Sequence, residues 1–444
     1  MRFLQRERLR RILGLATPIV LGMMSQNVIN LVDTAFVGRL GDAAIAAVGM
    51  GGIMNWLAGS LLIGMGHGVQ AIAARRLGEG NPERSASGLN AALLFAAIIG
   101  LPLSFIAARH SLDALRWLHD DPAVHLAGEG YMIARFTALP CLAANVAFRG
   151  FWNGTNRPRN YLITLVWMHS LNVLLDYALI FGRLGMPELG PEGAGWASAI
   201  AMAGGTAAYV GLAWRQARPE GFLSSLGLRA AAPRLVRLAI PASGQQTLFA
   251  AGWLAFYWIA GQIGTAELAA TNVIITLALV SILPALGMGL AGASIVGQTL
   301  GAGDFEDARR WGWEVVALGC IVMAVLGGLL AAGAPVWLRL FIPGQPATIA
   351  IAVLPLMILG TAQVLDGLGV VLSNLLLGVG DTLAVLRISA VCQWVIFLPV
   401  AYVVAVRLST GLVGLFICMG AYRLLLGLAL AARFRGSAWT RVEA

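Results

Sequence analysis

Two aspartates sit inside long apolar runs, where a charge is costly. Asp33 lies near the end of the first run and Asp176 in the fifth. Each is accompanied by amides at helical spacing. Gln26, Asn30 and Asp33 recur at intervals of four and three, and Asn172 and Asp176 are four apart, so each set shares one face of a helix. His169, three residues before Asn172, can join the second set. A charged group at bilayer depth costs about 3 kcal/mol or more, which makes such residues functional candidates by default. A carboxyl in a poorly hydrated cavity resists ionisation, and a second one beside it resists further, so the two titrate as one unit. Such a pair holds a proton, a sodium ion or an organic cation. Competition for the same charge is enough to couple uptake of one to release of another. Asn172 can donate to one carboxylate or offer its carbonyl oxygen to a cation. The competing reading is that either aspartate is a buried hydrogen-bonded link between helices.

Other polar residues have two readings each. Asp366, with Gln363 three residues before it, is either a second cation site or the partner of a buried arginine such as Arg423. Arg135 either offsets a cavity carboxylate or reaches the interface. Pro18 removes a backbone donor inside the first run and permits a kink, either fixed or mobile. Gln245, Gln246 and Tyr257 are candidate cavity-lining residues, the tyrosine through its ring face. Packing or interfacial placement is the better reading of His67, and interfacial belts or core that of most tryptophans and phenylalanines. Cys141, Cys320, Cys392 and Cys418 lie in apolar runs without a CxxC partner, so neither disulfides nor a structural metal is expected.

The elements that must position these groups are membrane helices. The 444 residues are 59% hydrophobic and only 11% charged, with a mean hydropathy of +0.80. That leaves too little polar surface to cover soluble domains. Twelve runs reach the ~20 residues that a bilayer requires: 12–37, 44–73, 86–108, 124–149, 160–182, 193–215, 234–261, 268–297, 311–332, 348–376, 384–406 and 410–434. The first is too long for a signal-peptide core and has no small-residue cleavage site, so it reads as a retained helix. All 30 basic residues are arginine. With the amino terminus inside, 22 fall in inner segments, Arg2 among them, and six in outer loops. This asymmetry predicts an even number of spans with both termini cytoplasmic. The net charge of +9 reads as topology and lipid contact rather than nucleic-acid binding.

The chain repeats itself. Gly38-Arg39-Leu40-Gly41 matches Gly261-Gln262-Ile263-Gly264, and Gly64-Met65-Gly66 matches Gly287-Met288-Gly289. Leu77-Gly78-Glu79-Gly80 matches Leu300-Gly301-Ala302-Gly303. All these pairs are 223 positions apart without a gap. This predicts an all-α membrane protein of two six-helix lobes, 1–215 and 234–444, joined by a cytoplasmic linker over 216–233. Paired halves around a site are a recurring transporter plan.

Val32-Asp33-Thr34-Ala35-Phe36-Val37-Gly38-Arg39-Leu40-Gly41 resembles the end of helix 1 of multidrug and toxic compound extrusion (MATE) transporters. Leu171-Asn172-Val173-Leu174-Leu175-Asp176-Tyr177, with Ile180-Phe181-Gly182, resembles their helix 5, and Gly378-Val379-Gly380-Asp381-Thr382 the loop after helix 10. Acids on helices 1 and 5, with Pro18, resemble the DinF-like branch. Asp366 matches the helix-10 acid of the NorM-like branch, whose helix-7 acid has no counterpart in Gly244-Gln245-Gln246-Thr247. The resemblance implies a multi-pass antiporter of the cell inner membrane, driven by protons or sodium and without other cofactors, and a monomer is expected because both halves lie in one chain. It would export organic cation drugs or toxic metabolites by alternating access, amid membrane lipids and without nucleic acid. Asp33, Asn172 and Asp176 would carry coupling, and bending at Pro18 would respond to protonation. One alternative is a lipid-linked oligosaccharide flippase of the related superfamily, which favours several cavity arginines for pyrophosphate. Another is an intramembrane enzyme, for which no nucleophile–base or metal-ligand motif is present.

Overall fold

A computed structural model describes residues 5–118 and 120–442, so Arg2 lies outside the described residues. Every regular element among the described residues is a helix. Lipid offers backbone groups no partners, so a chain this apolar satisfies them within each segment. In chain order the long helices are α1 Arg6–Val37, α2 Asp42–Gly78, α3 Pro82–Arg109, α4 (the bent pair Pro122–Thr137 and Leu139–Gly154), α5 Pro158–Ile180 and α6 Pro191–Gln216. They continue as α7 Leu228–Ile263, α8 Thr265–Gly301, α9 Phe305–Ala332, α10 Pro346–Val379, α11 Thr382–Arg407 and α12 Gly411–Arg435. Ten are long and apolar enough to cross a membrane singly, and α4 is an eleventh when its two pieces count as one span. The remaining helix, α7, is 36 residues long. Arg229, Arg234, Arg237, Gln245 and Gln246 dilute its apolar character.

Several helices outrun the expected spans. α2 covers Asp42–Gly78 rather than 44–73, and α7 begins at Leu228 rather than 234. The linker expected over 216–233 accordingly shortens to a non-helical stretch at 217–227. Gly221 and Gly227 carry positive φ of 83° and 75° there, a conformation that disfavours side chains with a Cβ and halts the helix on either side. The 45° bend of α4 falls between Thr137 and Leu139. Pro140, in the first turn of the second piece, has no N–H to continue the ladder. Thr137 Oγ1 donates to the Ala134 carbonyl at 2.7 Å and supplies one of the bonds lost there.

The internal repeat runs deeper than residue identities. Adding 223 to Asp42–Gly78 gives Thr265–Gly301, and adding it to Pro82–Arg109 gives Phe305–Ala332. The short amphipathic helices Ser111–Leu118 and Ala334–Phe341 are related by the same shift. Pro18 inside α1 and Pro241 inside α7 are a further pair at this spacing.

The chain forms two compact units, one of Leu21–Ser243 and the other of Gly244–Ala444 with the chain up to Val20. These differ from the contiguous halves expected from the sequence, because α1 and α7 are each divided. The dividing points, Leu21 and Gly244, are again 223 apart. The glycine motifs of the repeat explain why. A Cβ on Gly64 would lie 2.3 Å from the Ser243 nitrogen and 2.5 Å from the Ala239 carbonyl oxygen. A Cβ on Gly287 would lie 2.4 Å from Val20 Cγ2 and 3.4 Å from the Ala16 carbonyl oxygen. Ala16 and Val20 stand 223 positions before Ala239 and Ser243. Each glycine therefore seats the start of the helix that opens the other half of the sequence. Close backbone approach of this kind is how membrane helices gain packing without a hydrophobic drive between them. Ser243 Oγ also donates to the Leu61 carbonyl at 2.7 Å. In the other unit, Arg8 pairs with Asp307 and Glu314 on α9, holding the start of α1.

Candidate functional site

The unit of Leu21–Ser243 encloses a cavity of about 500 Å³. α1 contributes Gln26, Asn30, Asp33 and Thr34 to its wall, one helical face as the spacing requires. α5 contributes Met168, His169 and Asn172. α2 adds Asn55 and Trp56, α4 adds Tyr131 and Arg135, and α6 adds Ser198.

Behind this wall Asp176 is fully buried. Asn172 Nδ2 donates to its Oδ2 at 2.6 Å, which pins the carboxyl one turn along the same helix. The Asp33 and Asp176 carboxyls lie within hydrogen-bond reach of each other. Asp33 Oδ1 and Asp176 Oδ1 are both buried and have no protein donor. Two carboxylates accept only, so they bond to each other only when one carries a proton. The pair is thus a place for one proton, or for a cation that replaces it.

A second network adjoins the pair. His169 Nδ1 lies 2.9 Å from Ser25 Oγ, and Nε2 lies 3.2 Å from Gln26 Oε1. Gln26 Nε2 donates to Asn30 Oδ1 at 3.2 Å, one turn before Asp33. The sequence-expected residues Gln26, Asn30, Asp33, His169, Asn172 and Asp176 therefore converge. Tyr131, Asn55 and Ser198 were not singled out from the sequence. Tyr131 and Arg135 are four apart on α4, so the spacing that marked α1 and α5 also marks this pair.

Other expected residues lie elsewhere. Gln245, Gln246 and Tyr257 line neither this cavity nor the smaller one described next. They follow Ser243 and so belong to the other unit, where Tyr257 packs against Trp253 and Phe256. Pro18 also falls in that unit, inside an unbroken α1.

Asp366 is ion-paired with Arg423, and both are buried. The pair borders a cavity of about 90 Å³ walled by Phe249, Trp253, Phe256 and Tyr422. Of the two sequence readings of Asp366, the arginine pairing is the one observed. Its negative charge is already matched, which leaves little for a second cation to neutralise. Gln363 instead donates to Ser281 Oγ. All four cysteines are free thiols.

Twelve long helices, an internal repeat and ionisable residues around a cavity within the membrane define a multi-pass transporter. The MatE family profile matches residues 18–178 and again 241–403, and the chain belongs to that family. The two matches begin 223 residues apart, the same shift as the helices. A probable multidrug resistance protein NorM of Bradyrhizobium diazoefficiens is 30% identical over 418 residues, covering 91% of this chain and 88% of its own. Its Thermotoga maritima counterpart is 24% identical and covers 92% and 88%. Among solved structures, a MOP superfamily transporter from Pyrococcus furiosus superposes with a TM-score of 0.87 at 21% identity, over 98% of this chain and 97% of that one. The Vibrio cholerae MATE transporter VcmN in its bent form superposes with a TM-score of 0.88 at 19% identity, over 97% of each chain. The protein is accordingly a transporter of the cell inner membrane and not an enzyme.

Proposed function

We propose that this protein is a multidrug antiporter that exports organic cations by alternating access, driven by inward flow of protons or sodium. One observation carries the reading. Asp33, on the wall of a polar cavity, pairs with Asp176 just behind it, and Asn172 holds the latter. Together they form a site where a proton, a small cation and an organic cation compete for the same charge. The similarity to NorM proteins named for multidrug resistance supports it. Both termini would be cytoplasmic, with the two six-helix halves joined on that side by the linker, and the chain would act as a monomer among membrane lipids. Asp366 would stand outside the coupling reaction because Arg423 neutralises it. The flippase alternative gains little support, since Arg135 is the one arginine on the larger cavity's wall.

The test is ethidium efflux from proteoliposomes under separately imposed proton and sodium gradients. Gradient-driven efflux that disappears in both Asp33→Asn and Asp176→Asn supports the assignment and names the ion. Efflux that survives both substitutions removes coupling from this pair. Absence of cation transport by folded wild-type protein would make the flippase the leading reading.

A further inference from the structure

Arg135, half-buried on α4, differs from Arg423, which is buried on α12. Arg423 is consumed by Asp366. Arg135 lines the larger cavity and acts electrostatically on both Asp33 and Asp176. Yet among the described residues it makes no ion pair, and its Nε is buried without an acceptor. A guanidinium is always charged and presents a planar fork of five donors that matches a carboxylate. Leaving the buried Nε without an acceptor is costly. The cavity is large enough for an organic molecule to supply the missing acceptor.

Charge balance points the same way. With one proton shared between them, the two carboxyls carry a single negative charge, which Arg135 cancels. A bare organic cation entering that state leaves the cavity with an unmatched charge unless the proton departs. A zwitterion adds no net charge. Its cationic centre can meet the carboxyl pair while its carboxylate meets Arg135. The amides of Asn30 and Asn55 and the hydroxyl of Ser198 on the same wall add neutral polar contacts.

We infer that this cavity selects zwitterions, organic molecules bearing both a cationic centre and a carboxylate, with Arg135 as the carboxylate anchor. The inference rests on the proposal that the cavity is the substrate site, and it narrows the class of substrate.

The test uses two dyes with one ring system. Tetramethylrhodamine is a zwitterion, and its methyl ester is a cation. Binding of each to the full chain in nanodiscs is read by fluorescence anisotropy, which does not depend on coupling. Wild type should bind the free acid at least as tightly as the ester. Arg135→Gln should weaken the free acid about tenfold or more relative to the ester, the usual scale for a charge-assisted hydrogen bond. Should that variant fail to fold, Arg135→Lys keeps the charge but loses the fork, and the gap should be about threefold. Equal weakening of both dyes would make Arg135 only a counter-charge for the carboxyls and overturn the inference. So would a wild type that prefers the ester. If folded wild type neither binds nor exports either dye, the failure lies with the cavity as substrate site, and the inference falls with it.

Discussion

Asn172 Nδ2 stands 2.6 Å from Asp176 Oδ2, one helical turn away on α5. The bond leaves Asp176 Oδ1 buried and without a protein donor. The amide thereby divides the carboxyl into a fixed oxygen and an exchangeable one. Asn172→Leu removes the fixing bond at similar volume. Initial rates of gradient-driven ethidium efflux should fall about tenfold, the scale of one hydrogen bond to a charged group. Thermal stability should change little by comparison. A rate within twofold of wild type would remove Asn172 from the site.

The Asp366–Arg423 pair predicts an asymmetry between single and double substitutions. Arg423→Met strands a buried carboxylate and should cost about 3–5 kcal/mol, whereas Asp366→Leu with Arg423→Met should recover most of that loss. The double variant should still show efflux driven by the gradient. Melting curves in detergent give the first comparison, and proteoliposome efflux the second. Loss of all coupling in a well-folded double variant would place an ion step at Asp366.

Gly64 and Gly287 occupy equivalent places in the repeat but face different obstacles. Gly64→Ala drives a Cβ to 2.3 Å from the Ser243 backbone nitrogen, which cannot yield without moving α7. Gly287→Ala meets a methyl of Val20 at 2.4 Å, which a rotamer change removes, with the Val20 nitrogen at 3.3 Å. The first should destabilise by about 1–3 kcal/mol and the second by less. Gly49→Ala, with nothing within 4 Å of its Cβ, should be neutral or slightly stabilising because alanine is the better helix former. Thermal unfolding of the three variants side by side checks the order. Equal midpoints would mean that the glycines do not set the approach of α7 and α1.

Pro18 lies inside α1, where it deprives the Gly14 carbonyl of its helical donor. If this weak point is used during transport, Pro18→Ala should raise the melting temperature and lower efflux severalfold. A variant that is more stable and equally active would show the proline to be a fixed kink. Efflux and melting must be measured on the same preparation, since a stability gain alone does not separate the two cases.

Much of this was legible in the chain itself. Bilayer-length apolar runs declare helices because lipid leaves backbone groups no other way to be satisfied. The faces of α1 and α5 that carry Gln26, Asn30, Asp33, Asn172 and Asp176 follow from helical periodicity, which acts over a few residues. The gap-free repeat shift of 223 also needed only the residues, and the matching helix ends obey it.

What the tertiary structure decided is which elements meet. Sequence order suggested that 1–215 forms one body, yet the chain up to Val20 packs with the residues after Ser243. Two small glycines, Gly64 and Gly287, admit helices whose contact residues, Ser243 and Val20, are 179 and 267 positions away in sequence, and no local signal names the partner. Asp366 had two equally consistent readings until Arg423 was found beside it. Gln245, Gln246 and Tyr257 had suitable chemistry but lie in the other unit. Arg135 could have reached the interface or the cavity, and only the packing of α4 against its neighbours put it on the cavity wall with Asp33. Periodicity assigns a residue to a face of its own helix. What that face touches depends on contacts between segments far apart in sequence, and these are settled only when the whole chain packs.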